Sequence, residues 1–194
     1  MAVHGFRRSL GGRIVLRADV VERGILTDLV GQLVEFVAPE DEPDADPLAR
    51  LVGIDPDAER PDDPALARLF PDAYADDDEA AGEFRRFTER SLREAKLANA
   101  AVVLDALDRA GDKDKVALSD DEARAWLGTL NDLRLTLGSR LGIDEDSHEL
   151  VASLAEDDPA FAVFHVYDWL TFLQETLVQA LTGLVSEPPP GASL

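Results

Sequence analysis

The residue types best suited to chemistry are sparse in this chain. Glu145-Asp146-Ser147-His148 has the Glu-x-x-His spacing that a di-metal carboxylate bundle uses twice, together with two further glutamates. Here it occurs once, in a polar stretch after Gly142, so the rest of the ligand set is missing. Asp76, Asp77 and Asp78 could hold a hard cation, but three successive acids before an apolar run more simply complement the positive end of a helix. His165 lies in an apolar stretch, where a hydrogen-bonded structural imidazole is expected ahead of a general base, and His4 borders a predicted hairpin. There is no G-x-S-x-G, phosphate-binding loop, dinucleotide-binding glycine motif or His-Glu-x-x-His. The sequence has no cysteine, which excludes a disulfide, a thiol nucleophile and cysteine-ligated metal. It therefore assigns no catalytic residue, no metal ligand and no cofactor, and an enzyme is not expected.

Binding residues are easier to nominate. Asn131-Asp132-Leu133-Arg134 sets polar groups in a leucine-rich helix and reads as a satisfied network that fixes bundle register. Arg86, Arg90 and Arg93 fall at i, i+4 and i+7 on one helical face, with Lys96 nearby. Because Glu89 and Glu94 interleave, a solvated salt-bridged face is the default there and a docking patch the sharper alternative. Arg7, Arg8, Arg13 and Arg17 cluster at the start, where residues 1–23 carry five arginines against Asp19 and Glu22. That local excess of +3 opposes a net charge of −21, set by 40 acids and 19 bases. Such a balance disfavours bulk binding to nucleic acid and suits basic protein partners, although an arginine-bearing ribbon also fits a DNA major groove.

These residues need elements to position them. With 194 residues, 45% hydrophobic and 30% charged, the chain is long enough for one domain with a real core. His4–Ser9 and Arg13–Arg17 read as two strands about Gly11-Gly12. Asp19 with Glu22 starts a helix to Pro39 whose stripe would be Val21, Ile25, Leu29, Leu33 and Phe36. Residues 39–63 form an acidic, proline-rich segment expected to be irregular. A short turn at 65–70 precedes a long helix from Asp76–Glu79 to Ala110, with Phe84, Phe87, Leu92, Ala95, Val102 and Leu107 among its inward candidates. Val116–Leu118 is extended, and Ser119 with Glu122 opens a helix to Leu141 in which Trp126, Leu130, Leu133, Leu137 and Leu141 share a face. Asp158-Pro159 begins a last helix to Leu184, apolar nearly all round and so expected at the centre, with Trp169 sharing a core with Trp126. Residues 185–194 are an expected disordered tail.

The fold class is accordingly mainly α: a bundle of about four principal helices with an N-terminal β-hairpin (1–18) and a long acidic loop (39–63), in a single domain over 1–184. No stretch has the length of a membrane span, and the start lacks the apolar run of a signal peptide, so a cytoplasmic protein is expected.

Four stretches carry a resemblance: RLFPDAY at 68–74, EFRRFTERSL at 83–92, WLGTLNDLRLTLGSRLGI at 126–143 and WLTFLQETLVQAL at 169–181. The opening GFRRSLGGRIVLRADVVERGIL fits with them. Together they resemble the actinobacterial AosR-like family, once catalogued as a domain of unknown function and labelled after an oxidative-stress transcriptional regulator. The resemblance spans most of the chain but not the 39–63 segment or the tail. It implies a cytosolic regulator that alters transcription under oxidative stress by contacting a protein partner such as the transcription machinery, with direct DNA contact and a homodimer left open. Without cysteine this chain has no thiol switch, and Met1, its sole methionine, is a poor substitute.

Overall fold

The structure, a computed structural model, describes residues 5–39, 60–74, 76–143 and 158–183. Strands β1 (Phe6–Arg8) and β2 (Ile14–Arg17) pair antiparallel, with Phe6 opposite Leu16 and Arg8 opposite Ile14. Ser9 N–H donates to the Arg13 carbonyl at 2.7 Å across a three-residue turn, and Gly12 adopts φ +81°, a conformation that favours glycine. A hairpin alone is marginal. This one gains a third strand, β3 (Lys115–Leu118), antiparallel to β2 with Ile14 opposite Leu118. Alternation along the strands sends Phe6, Ile14, Leu16, Val116 and Leu118 into the core.

Helix α1 (Val20–Val37) begins with a capping box from Asp19 and Glu22. Its buried face is Leu26, Val30, Leu33 and Val37, which shares Leu33 with the expected stripe; Leu29 and Phe36 pack at the core's margin, and Val21 and Ile25 are exposed. The segment holds two overlapping apolar stripes about one residue apart, and buried Arg23 selects between them. Its Nη1 donates to the carbonyls of Ala18 and Lys113, at 3.0 and 2.6 Å, turning that side of the helix inward.

Short helix α2 (Pro64–Leu69) is capped by Asp63. Helix α3 (Asp78–Ala110) follows, capped by Asp77, whose carboxylate accepts from Ala80 N–H. Its inner face differs from the expectation in the first half. Phe84, Phe87 and Leu92 are exposed, Ala95 also faces solvent, and Arg85 and Glu89 are buried instead. Only in the second half do Ala100, Val103, Ala106 and Leu107 form an apolar inner face.

Helix α4 (Asp120–Leu141) has the Ser119/Glu122 capping box and ends at Gly142, φ +64°. It packs against α1, α2, α3, β3 and the last helix α5 (Pro159–Thr182), and so occupies the centre, where the apolar pattern predicts α5. Trp126 on α4 is fully buried, edge-on to Phe6 with ring centroids 5.5 Å apart. Helix α5 buries Leu170, Leu173, Leu177 and Ala180 against α4 and β1. Trp169 is half-buried at the margin of the core, and Val163 and Val178 are exposed. At its junction with β1 the chains approach closely: a Cβ on Gly5 would lie 2.9 Å from Thr176 Oγ1. The fold is mainly α, four long helices and a short one among the described residues, with a small antiparallel sheet.

Candidate functional site

The charged residues of α3 build inward, not outward. Arg85, Glu89 and Arg93 follow one another at i, i+4 and i+8, so they share one helical face. Arg85 donates to Glu89 at 2.9 Å, is paired with Asp72, and reaches the Phe70 carbonyl at 3.4 Å. Glu89 in turn accepts from Arg93 at 2.6 Å, and Arg93 Nη1 donates to the Val37 carbonyl at the end of α1 at 2.8 Å. Arg93 also lies over the Phe70 ring, 4.5 Å from its centroid, and Arg60 lies 3.6 Å from Asp72. Burial opposes the Arg85 charge, and Glu89 and Asp72 outweigh that opposition, so the guanidinium is held above its usual range. A chain of alternating charge thus joins α1, the segment after α2, and α3. The cavity beside it, lined in part by Asp72, Phe84, Arg85 and Leu92, is about 20 Å³, room for roughly one water. It is a joint and not a substrate pocket.

Sequence reasoning placed the α3 arginines one residue off this face. Arg86 and Arg90 are exposed, with Arg90 paired to Glu94 at 3.1 Å, whereas Arg93 is drawn into the joint. The sequence pattern does not single out Arg85, Glu89 or Asp72 as a site. Their signal was present as an R-x-x-x-E-x-x-x-R spacing, but it does not say which face is buried.

Helix α4 divides the Asn131–Arg134 group in two, because residues two apart on a helix point about 200° apart. Asp132 is buried and accepts from Lys96 Nζ at 2.7 Å, facing α3. Burial pushes its carboxyl up, and Lys96 pulls it back only partly. Arg134 faces α5, donating to Thr171 Oγ1 at 2.9 Å and Gln174 Oε1 at 2.7 Å, with Tyr167 beyond. Asn131 is half-buried and joins neither set.

The N-terminal arginines also separate. Arg8 points toward the helices: its Nε donates to the Ala180 carbonyl at 2.9 Å, and it pairs with Asp120 at 3.1 Å. Arg7, Arg13 and Arg17 are exposed on the opposite face of the sheet, where Arg17 is opposite Lys115. Beside that row lies a groove of about 200 Å³ lined by Arg17, Ala18, Asp19, Asp114 and Lys115, smaller than the roughly 300 to 1,000 Å³ of small-molecule sites.

His165 is exposed and stands edge-on to Phe161, ring centroids 4.4 Å apart, and its imidazole has a ring contact in place of the hydrogen bond expected of a structural histidine. His4, Glu145 and His148 lie outside the described residues. Among the described residues no group of three or more His, Asp or Glu side chains is arranged to hold a metal ion. No helix among them is long and apolar enough to cross a membrane.

A family model described as a domain of unknown function, DUF2017, matches residues 3–181. The chain belongs to this family. Among relatives of the DUF2017 chain, the oxidative stress regulator AosR of Mycobacterium tuberculosis (strain ATCC 25618 / H37Rv) is 35% identical over 177 residues, covering 84% of this chain and 79% of the relative. The oxidative stress regulator AosR of Mycobacterium bovis matches to the same extent, 35% over 177 residues with the same coverage of 84% and 79%. No solved structure matches. In this DUF2017 chain, each of the four stretches that carried the resemblance contains members of the ionic and polar sets above: Asp72, Arg85 and Glu89, Asp132 and Arg134, and Thr171 and Gln174.

Proposed function

We propose that this chain is a non-enzymatic, cytoplasmic regulator of the oxidative-stress response that acts mainly through protein partners, the transcription machinery among them. The observation that carries the reading is the 35% identity across 84% of the chain to proteins named oxidative stress regulator. The chemistry of the described residues supports it: the buried charges are joined in pairs that lock helices together, and the clefts suit contact better than turnover. With no cysteine in the sequence, the oxidant signal reaches this regulator through something other than its own thiols.

The test is deletion of the gene in its host, followed by transcript profiling with and without peroxide and by complementation. Altered stress transcripts, restored by complementation, are expected. An unchanged profile overturns the reading. Affinity capture with and without nuclease then separates protein-mediated from DNA-mediated association. A second reading, direct DNA binding through the arginine-bearing hairpin, is favoured by the common outward face of Arg7, Arg13 and Arg17.

A further inference from the structure

We propose that the outward face of the β1–β2–β3 sheet docks a short, extended acidic segment of a partner protein. The register puts Arg7, Val15 and Ala117 in one row across the three strands, and Arg17 beside Lys115 in the next. Arg13, two residues before Val15, points to the same face. Four cations thus surround a small apolar centre of Val15 and Ala117.

None of the four side chains has an ion-pair or hydrogen-bond partner among the described residues. Elsewhere Arg8, Arg85, Arg93, Lys96, Arg109 and Arg140 are all paired with carboxylates. Arg68, Arg86 and Lys113 are also exposed without an ion pair among the described residues, but they lie on three separate segments, whereas the register gathers four such cations on this one face of a protein of net charge −21. Its favourable complement is negative.

Size and surroundings select among anions. Arg13, just before β2, and Arg17 at its end are four residues apart, ~13 Å along extended chain, and an extended peptide repeats its same-face side chains every ~7 Å. An acidic strand with alternating carboxylates matches that spacing, and its apolar or threonine methyl groups can meet Val15 and Ala117. A duplex, with one charge per ~1.7 Å, runs beyond the patch onto the acidic remainder of the molecule. Asp19 and Asp114 border the Arg17–Lys115 end, and although Asp19 caps α1 through Val21 and Glu22 N–H, both carboxylates oppose a polyanion that extends past it.

The assignment rests on the partner-mediated reading above for its physiological setting, but its test is read on purified full-length chain, independent of any stress phenotype. Fluorescence anisotropy is measured with a labelled peptide of alternating Glu and Thr, its Gln counterpart and a mixed-sequence DNA duplex, each at low and physiological salt. The Glu peptide is expected to bind, more weakly as salt rises, and the Gln peptide to bind far less. Combined Arg7→Ser, Arg17→Ser and Lys115→Ser substitution weakens Glu-peptide binding about tenfold or more, while Arg86→Ser, which removes an exposed cation of α3, leaves it unchanged. Should the triple variant fail to fold, Arg13→Ser and Lys115→Ser singly carry the test, each lowering the salt dependence. Equal binding by wild type and folded variants overturns the proposal, as does failure of the Glu peptide to bind at low salt. Tighter binding of the duplex at equal salt, lost on the same substitutions, replaces it with a nucleic-acid face.

Discussion

Lys96 and Asp132 meet across α3 and α4 with only 18% and 6% of their side chains exposed. A buried pair of this kind adds little net stability, because desolvation offsets attraction, yet breaking one side leaves a charge in the interior. Burial raises the Asp132 carboxyl from 3.8, so the folded state favours its protonated form, and its ionisation subtracts stability as pH climbs past that value. Lys96 limits the subtraction. Lys96→Met is therefore predicted to cost about 3 to 5 kcal/mol at neutral pH and less in acid, with Asp132→Asn restoring part of the loss. Urea unfolding of the two single variants and the double variant measures this, and a neutral-pH loss under about 1 kcal/mol would show that the pair is freely hydrated. None of this is legible from Asp132 in the sequence, where its nearest charged neighbour is Arg134 and Lys96 stands beside an arginine face.

Helix starts and stops were the most legible elements. Ser119 and Glu122 form the predicted capping box, in which Glu122 accepts from Ser119 N–H at 2.7 Å and from its hydroxyl at 2.8 Å. The Ser119 N–H lowers the Glu122 carboxyl, burial raises it, and the Ser119 hydroxyl and Arg109 add to the lowering, for a net position below 4.5. A group held below its ordinary value contributes stability that is fully present above that value and is lost as pH falls through the folded one. We predict that Glu122→Gln costs about 1 kcal/mol at neutral pH and that the gap to wild type closes as pH drops below 4.5. Thermal melts across that range test it; a gap constant with pH would assign the effect to packing and not to charge. Helix faces were less legible than helix ends. In α1 and the first half of α3, two rotations satisfy an amphipathic pattern, and the inner side is the one that carries a buried arginine, Arg23 or Arg85. A reading that sorts residues by hydropathy puts Phe84 and Phe87 inside and Arg85 outside, the reverse of what is observed.

For the whole molecule, the acidic 39–63 segment carries few apolar anchors, which predicts that folding does not need most of it. Its last residues are different, because Asp63 caps α2 and pairs with Arg140 of α4 at 2.7 Å. Replacing residues 40–59 by a Gly/Ser linker of equal length is expected to leave a cooperative transition with little change in midpoint, whereas extending the replacement through Asp63 costs a further ~1 kcal/mol. Denaturant melts decide it, and loss of cooperativity in the shorter replacement would make that segment part of the core. By itself the sequence determined the mainly α class, the hairpin turn, the capping boxes, the helix order and the family, because each depends on contacts within a few residues or on strings read directly. It also closed thiol chemistry. Tertiary structure alone decided that α4 and not α5 is central, that β3 completes the sheet, that Arg8 joins the core side while Lys115 joins the outward cations, and that Asp72, Arg85, Glu89 and Arg93 form one chain. Those outcomes depend on which faces meet across long sequence separations, and a charge can be buried at low cost only where a partner from another element arrives to meet it.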